Sequence, residues 1–282
     1  MFEFTLGSVA LCAPGPTDGQ NGHDGLPPDL REVIGTVGDQ FRDAFTRICL
    51  YLVLSSAETS EERTDDTIVI GTEYGNTAAL ARLQRDAATK GKLLSAQHFP
   101  NATSSSASAF VNLRVGATGR NMTINAGVLT PVMALWQALS ALEQERSAVS
   151  RLLIGDIYAP EAVEDAALDT RNVSCRDGVA HAFLHKGADF TAEFGFGTTD
   201  APHPGPVRTV CGIGAPDGRP VTAEPIAFAE RNSAFATRAF LDLVHSLAPA
   251  ERAVLECHAP DGRHATVTVT RRQASSTNGR SW

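Results

Sequence analysis

The sequence lacks the features that identify secreted, membrane-spanning or disulfide-rich proteins. Its 282 residues include only five cysteines, an odd number with no CxxC pair, which favours reduced thiols over a disulfide framework. No apolar run approaches the length that spans a bilayer, and the first residues lack the basic start of a signal peptide. We therefore expect a cytoplasmic protein without membrane contact.

Positive charge and aromatic side chains are also scarce. The 24 lysines and arginines are outnumbered by 32 aspartates and glutamates, which gives a net charge of −8. Because phosphate backbones bind clustered basic residues, this balance argues against a nucleic-acid partner. Aromatic residues make up 6% of the chain, but 43% of all residues are hydrophobic, which is enough for a sizeable core in one or two domains.

The chain alternates between buried strands and amphipathic helices. This alternation predicts an α/β fold with a mainly parallel sheet closed by antiparallel hairpins. The apolar spacing predicts a helix over residues 30–54, and another helix opens after Asn76, which we expect to be its N-cap. Residues 178–197 predict the two strands of one hairpin.

The segment MTINAGVLTPVMAL, residues 122–135, predicts a strand, a tight turn and a helix in direct succession. Many α/β enzymes mount a nucleophile on such an elbow. Here the crest carries Ala126, Gly127 and Val128, and neither Cys nor Ser stands at the bend. The sequence thus predicts the support of an active site without the residue that would react.

Three stretches, in this order, carry a family resemblance: the run from FPNATSSSASAF through GRNMTINAG to RLLIGD, then HKGADFTAEFGFGTTDAPH, then ECHAPDGRHATVTVTR. They resemble the β-ketoacyl-ACP synthases, the condensing enzymes of fatty-acid and polyketide assembly. The resemblance covers residues 66–272. It implies a thiolase-like fold with α-β-α-β-α layers, because that is the architecture of the family.

The resemblance also implies how the chain is divided. Residues 1–206 match the N-terminal half of a ketosynthase, and residues 207–272 would form a shortened C-terminal half. We expect residues 273–282 to be a disordered tail. The second half of the fold is therefore predicted to be truncated, and the sequence alone does not say how it closes its sheet.

The catalytic residues of the family are missing. A ketosynthase needs a Cys at the elbow to carry the acyl chain, and two histidines to decarboxylate the extender and hold its enolate oxygen. Alignment without gaps places Val128 at the position of the Cys. The stretches that stand where the histidines would be, VRTVCGIGAPDG and ERNSAFATRAF, contain no histidine. No catalytic residue, cofactor or metal is therefore implied.

Some members of the family keep the fold without the Cys and pair with an active ketosynthase α subunit. These are the chain length factors, or ketosynthase β subunits, of type II polyketide systems. The resemblance implies a heterodimer, or a dimer of heterodimers, with acyl carrier protein bound mainly through the partner. The residues implied at the partner interface and acyl tunnel are Ser104, Ser105, Ser106, Ala107, Phe110, Met122, Thr123, Ile124 and Asn125.

Other functions stay open on the sequence alone. One is a remodelled acyltransferase or thioesterase that uses Cys211 or a displaced histidine, and another is a scaffold that binds carrier protein without shaping a product. His181 and His185 lie four residues apart on a predicted strand, about 13 Å from each other, which is too far for one metal ion. The product, whether polyene, aromatic or simple acyl chain, is not determined by the sequence.

Overall fold

A computed structural model gives the architecture of the chain and describes residues 1–15, 25–60, 65–91, 96–169, 174–199, 205–215, 217–219, 225–228 and 230–273. The predicted disordered tail, residues 273–282, lies outside the described residues except for its first residue. The division of the chain at residue 206 stays a prediction. Among the described residues, none of the helices combines the length and the apolar character needed to cross a bilayer.

The described part of the chain forms eight α-helices and nine strands. The helices are α1 (Leu30–Ile34), α2 (Ala44–Leu54), α3 (Thr77–Lys90), α4 (Phe99–Ala102), α5 (Ser106–Val115), α6 (Thr130–Glu143), α7 (Pro160–Asp169) and α8 (Ser233–Ser246). The strands are β1 (Phe2–Cys12), β2 (Thr67–Gly71), β3 (Asn121–Ile124), β4 (Val149–Asp156), β5 (Gly178–Thr198), β6 (Val207–Ile213), β7 (Ile226–Ala227), β8 (Arg252–His258) and β9 (Arg263–Arg271).

These strands form one mixed sheet in the order β3-β2-β4-β5-β9-β8-β6-β7, with β1 also paired to β5. The pairs β2–β3 and β2–β4 are parallel, and the other described strand pairs are antiparallel. The α/β class is confirmed, but the prediction of a mainly parallel sheet is wrong. Helical crossovers, which parallel pairing requires, connect only the first few strands of the sheet.

One long strand joins the two halves of the fold. β5 runs unbroken for 21 residues, so the hairpin predicted over residues 178–197 is wrong. Its first part pairs with β1 and β4, and its last part pairs with β9. Gly187, in the middle of this strand, lets β1 approach closely, because a Cβ there would lie 2.1 Å from Oγ1 of Thr5 on β1.

Two apolar clusters hold the layers together. One lies around α6 and α8, which pack between the β1-β2-β4 part of the sheet and the β8-β9 part. The other joins α1, α2 and α5 to the opposite face of β2 and β4. Because helices cover both faces of β2, all five of its residues are buried. The helices of the second cluster thus form an outer layer, and α6 and α8 form the central one.

In the C-terminal part of the sheet, strand β9 turns one apolar face toward the core. In β9, Ala265, Val267 and Val269 are fully buried toward the central helices, and the alternate positions between them are threonines. The described residues between β6 and α8 include no helix that would cover the threonine face. A strand with one polar face can border water on that side, so this part of the sheet does not need a further helix layer.

The helix predicted over residues 30–54 is interrupted. α1 ends at Gly35 and α2 begins only at Ala44, with a short 3-10 turn between them. Gly35 and Gly38 both have positive φ angles, 78° and 72°, which a helix cannot accommodate. The interruption brings Arg42 and Asp43 to the start of α2, where both contact neighbouring helices.

Candidate functional site

The predicted elbow is present between β3 and α6. Gly127 occupies the left-handed region at φ 55°, and a Cβ there would meet no atom within 4 Å, so the glycine serves the bend itself. The hydroxyl of Thr130 donates to the carbonyl of Gly127 at 2.6 Å and accepts from the amide of Ala126 at 3.0 Å. One threonine side chain thus fixes both sides of the turn.

The elbow presents no reactive side chain. Val128 is 6% exposed and belongs to the apolar cluster around α6, so the position expected for a nucleophile is packed into the core. Asn125 and Gly127 form the exposed crest instead. The Nδ2 of Asn125 donates to the carbonyl of Glu73 at 2.8 Å, which ties the crest to the end of β2.

Asn232, in the stretch predicted to replace the second histidine of a ketosynthase, lies directly before α8. Its Oδ1 accepts from the amide of Ala234 at 2.9 Å, which caps the helix. Its Nδ2 lies within 3.0 Å of the carbonyl oxygens of Asp156, Arg176 and Gly178. These contacts bind Asn232 to the ends of β4 and β5, so its role in the structure is to hold the start of α8 in place.

A buried ion network lies between the elbow and α8, and sequence reasoning missed it. Arg208 on β6 pairs with Glu73, and their side chains are only 2% and 3% exposed. Arg208 also donates to the carbonyl of Arg231, whose own Nε lies 3.5 Å from Oε2 of Glu73. The signal in the sequence was weak, because Glu73 and Arg208 are 135 residues apart and neither belongs to a motif.

Asp156 at the end of β4 is the second buried acid of this network. It accepts from the hydroxyl of Thr72 at 2.5 Å and from the amide of Tyr74 at 2.8 Å. Burial, followed by the negative charge of Glu73, raises the pKa of Asp156 to about 7, although these hydrogen bonds act in the opposite direction. A proton on Asp156 therefore relieves the repulsion between two buried carboxylates.

The buried ion network adjoins the elbow. Asn125 links Glu73 to the elbow, Arg208 on β6 pairs with Glu73, and Asn232 before α8 binds the carbonyl of Asp156. The crest of the elbow carries the exposed Asn125 beside the buried Val128. These contacts connect the ends of β2 and β4 to β6 and to the start of α8.

Burial makes four of the five thiols poor nucleophiles. Burial raises the pKa of Cys12 to about 11 and of Cys257 to about 12, and it also raises the pKa of Cys49 and Cys175. Cys211 is half-buried on β6 opposite Val254, and its Sγ lies 3.5 Å from the carbonyl of Gly212. Cys211 therefore lies within the β6–β8 part of the sheet and does not belong to the elbow.

The histidines that were considered as metal ligands serve the sheet. His181 packs beside Phe183 on β5 at a ring distance of 4.8 Å, and burial lowers its pKa to about 3. His185 lies two residues further along and pairs with Glu58 at 2.9 Å. Among the residues that the structure describes, no three His, Cys, Asp or Glu side chains come together in a way that could hold a metal ion.

The residues predicted at the acyl tunnel fall into two sets. Ser106, Ala107 and Ser108 are buried inside this chain, and Oγ of Ser108 bonds to Oγ1 of Thr123 at 2.9 Å. Ser104 and Ser105 precede the first turn of α5 and are exposed, whereas Phe110 is half-buried. Leu113, which sequence reasoning did not select, is 76% exposed on the same helix.

Phe110 points toward the start of α2 within its own chain. The guanidinium carbon of Arg42 lies 5.4 Å from the centroid of the Phe110 ring, a cation–π contact. Phe110 also packs against the cluster of α1, α2 and α5. Its role at a tunnel stays a prediction, and the exposed surface of α5 is made by other side chains.

The predicted interface strand, β3, lies at the edge of the sheet. It pairs with β2 on one side, and no described strand lies on the other. The carbonyls of Arg120 and Ile124 accept from β2, so by alternation the backbone groups of Asn121 and Thr123 point away from the sheet. Of the predicted set, Met122, Thr123 and Ile124 are half-buried on β3, and Asn125 is exposed beyond it.

Comparison with solved structures identifies the fold. A structure described as "The ishigamide ketosynthase/chain length factor" matches with a TM-score of 0.62 at 14% identity, over 88% of this chain and 86% of that chain. Its similarity extends over both halves of the sheet because it includes nearly the whole chain. The chain has the thiolase-like fold of the condensing enzymes.

Two further structures with this fold match over 96% of the chain and the full length of their own chains. One is described as a ketosynthase, ApeO, in complex with its chain length factor, ApeC, from Xenorhabdus doucetiae, with a TM-score of 0.60 at 12% identity. The other is described as "AntDE:AntF (apo): type II PKS acyl-carrier protein in complex with its ketosynthase bound to the hexaketide", with the same TM-score and identity. No family model and no curated protein matches the sequence.

Proposed function

We propose that this chain is a non-catalytic subunit like a chain length factor, which pairs with an active ketosynthase in type II polyketide or fatty-acyl chain elongation. The observation that carries the proposal is an elbow kept in its full geometry around a buried Val128. An enzyme that had lost its reaction and its partner would have no reason to keep this bend. A subunit that needs the bend to present β3 would keep it.

The exposed edge of β3 is the surface that we assign to the partner. An unpaired strand edge is a liability for a free protein, because it can add any other strand. Pairing with the corresponding strand of a ketosynthase would satisfy the outward backbone groups of Asn121 and Thr123 and give a pseudo-symmetric dimer. A ketosynthase bound to a chain length factor, and a ketosynthase bound to a carrier protein, are among the structures similar to this chain.

In this proposal the partner carries the acyl chain and binds most of the carrier protein. The net charge of −8 disfavours docking of an acidic carrier on this chain. The present chain would act on product length through α5 and the residues before it, where the exposed Ser104, Ser105 and Leu113 are available to a neighbour. The identity of the product, including a polyene, is left to experiment.

Heterodimer formation through β3 can be tested by a proline that blocks only the outer edge. In Thr123→Pro, the lost amide is the one that faces away from β2, so pairing within the chain is retained. Thr123→Val is the matched control, because it removes the hydroxyl bond to Ser108 without removing the amide. Each variant is co-expressed with the ketosynthase encoded beside it and measured by size-exclusion chromatography with light scattering.

We expect the wild-type chain and Thr123→Val to form a 1:1 complex, and Thr123→Pro to lose it while keeping its circular dichroism. A complex that survives Thr123→Pro unchanged would place the interface elsewhere. A wild-type chain that stays monomeric beside every ketosynthase of its own cluster would contradict the proposal as a whole.

The effect on product length has a separate test. Ser105→Phe adds a large side chain to the exposed start of α5, and we expect the co-expressed pair to release shorter products than the wild-type pair. Arg114→Ala, at another exposed position of the same helix, is the control. Identical product profiles from wild type and Ser105→Phe would remove α5 from the account.

A further inference from the structure

Arg42 carries a positive charge that the described residues leave without an acceptor. Its guanidinium lies over the ring of Phe110, and its Nε and Nη1 atoms are withdrawn from water without a hydrogen-bond partner among the described residues. Burying a cation without a counter-charge is unfavourable, so such a site favours an anion. The remaining nitrogen, Nη2, is not among those buried atoms.

The two carboxylates nearest to Arg42 in sequence are already engaged. Asp39 lies 2.9 Å from Nε of Arg47 and 4.0 Å from Nε of Arg31. Asp43 accepts from the amide of Phe45 at 2.9 Å and from the amide of Ala79 at 2.8 Å, so it caps α2 and contacts the first turn of α3. Neither aspartate forms an ion pair with Arg42.

Two adjoining cavities meet at Arg42. The larger, about 250 Å³, is also lined by Arg31, Arg47, Thr36 and Gln40. The smaller, about 140 Å³, lies between the starts of α2 and α3 and is also lined by Arg82. Their walls hold four arginines and two aspartates, so positive charge is concentrated here on a chain whose net charge is −8.

We propose that the cavity at Arg42 binds a phosphate-type oxyanion, either inorganic phosphate or a small phosphomonoester. Guanidinium groups match the oxygens of phosphate in geometry, and charge-assisted hydrogen bonds of this kind are among the strongest in proteins. Three arginines share one carboxylate, Asp39, around the larger cavity, and this excess of positive charge suits a tetrahedral acceptor with several oxygens better than a carboxylate with two. Thr36 and Gln40 add uncharged groups that can donate to the same ligand.

This site is separate from the elbow and does not depend on the proposed partnership. It involves α1, α2 and the turn between them, whereas the elbow belongs to β3 and α6. Phe110, which contacts Arg42, also belongs to the predicted tunnel helix. The site can therefore exist in the chain whether or not a ketosynthase binds to β3.

The test is isothermal titration calorimetry of the whole chain with inorganic phosphate, phenyl phosphate and malonate, against sodium chloride at equal ionic strength. We expect saturable binding of both phosphates and at least tenfold weaker binding in Arg42→Gln, a loss of about 1.4 kcal/mol. Arg219→Gln, which removes an exposed arginine that pairs with Asp217, is the control and should bind like wild type.

A second measurement does not depend on a variant that folds. Phenylglyoxal modifies arginines, and peptide mass mapping with and without phosphate should show protection of Arg31, Arg42 and Arg47 but not of Arg219. The proposal would be overturned if phosphate gave no more binding heat than sodium chloride and protected the three arginines no better than sodium chloride does. Malonate binding as tightly as phosphate, or unchanged phosphate binding in a folded Arg42→Gln, would overturn the assignment of a phosphate ligand to Arg42.

Discussion

Replacing Glu73 by glutamine is the sharpest test of the buried ion network. The substitution keeps the volume of the side chain and removes the negative charge that pairs with Arg208. The side chains of Glu73 and Arg208 are 3% and 2% exposed. Removing one member of a buried ion pair leaves the other uncompensated, which typically costs about 3–5 kcal/mol. A domain has about 5–15 kcal/mol of stability, so we expect a large fraction of it to be lost.

The assay is urea unfolding followed by circular dichroism, with the free energy of unfolding compared between wild type and Glu73→Gln. Arg85→Gln serves as the control, since it breaks the exposed Arg85–Glu161 pair and should change stability by less than about 1 kcal/mol. A double variant, Glu73→Leu with Arg208→Met, removes both charges of the pair and should recover part of the loss, since Arg231 also loses its contact with Glu73. A cost of Glu73→Gln no larger than that of Arg85→Gln would refute the reasoning.

Three further variants test the neighbouring groups. Asp156 keeps its proton up to about pH 7 in the folded chain, whereas an unfolded aspartate loses it near pH 3.8. The free energy of unfolding should therefore fall as pH rises between these two values. Asp156→Asn should remove this pH dependence in urea titrations over the same range. Gly127→Ala forces alanine to φ 55° in open space and should cost about 1 kcal/mol in thermal unfolding, whereas an unchanged midpoint would mean that the bend relaxes. Val128→Cys should label slowly with maleimide because the position is 6% exposed, and rapid native-state labelling would place it outside the core.

Local patterns were sufficient to predict much of the fold. The succession of strand, tight turn and helix over residues 122–135 follows from one short stretch, and it is confirmed. The long strand β5 was wrongly predicted as a hairpin. Gly187 within it is required by the close approach of Thr5 on β1, a contact between residues 182 positions apart that no local pattern contains.

The candidate site was only partly predictable for the same reason. The absence of a nucleophile at Val128 could be read directly from the crest of the elbow. The network of Glu73, Arg208 and Asp156 depends on three separate strands or strand ends meeting at one point, which only the assembled sheet reveals. Asn76 was placed correctly before α3, but its Oδ1 accepts from Thr46 in place of capping the helix.

The most direct test of the account asks which polypeptide carries the acyl group. This chain and its ketosynthase are purified together, supplied with acyl carrier substrate, and each intact mass is measured before and after reaction. We expect a covalent acyl adduct on the ketosynthase alone, and none on this chain when it is assayed by itself. A stoichiometric adduct on this chain, at Cys211 or at any other residue, would contradict the central claim and favour a remodelled acyltransferase or thioesterase.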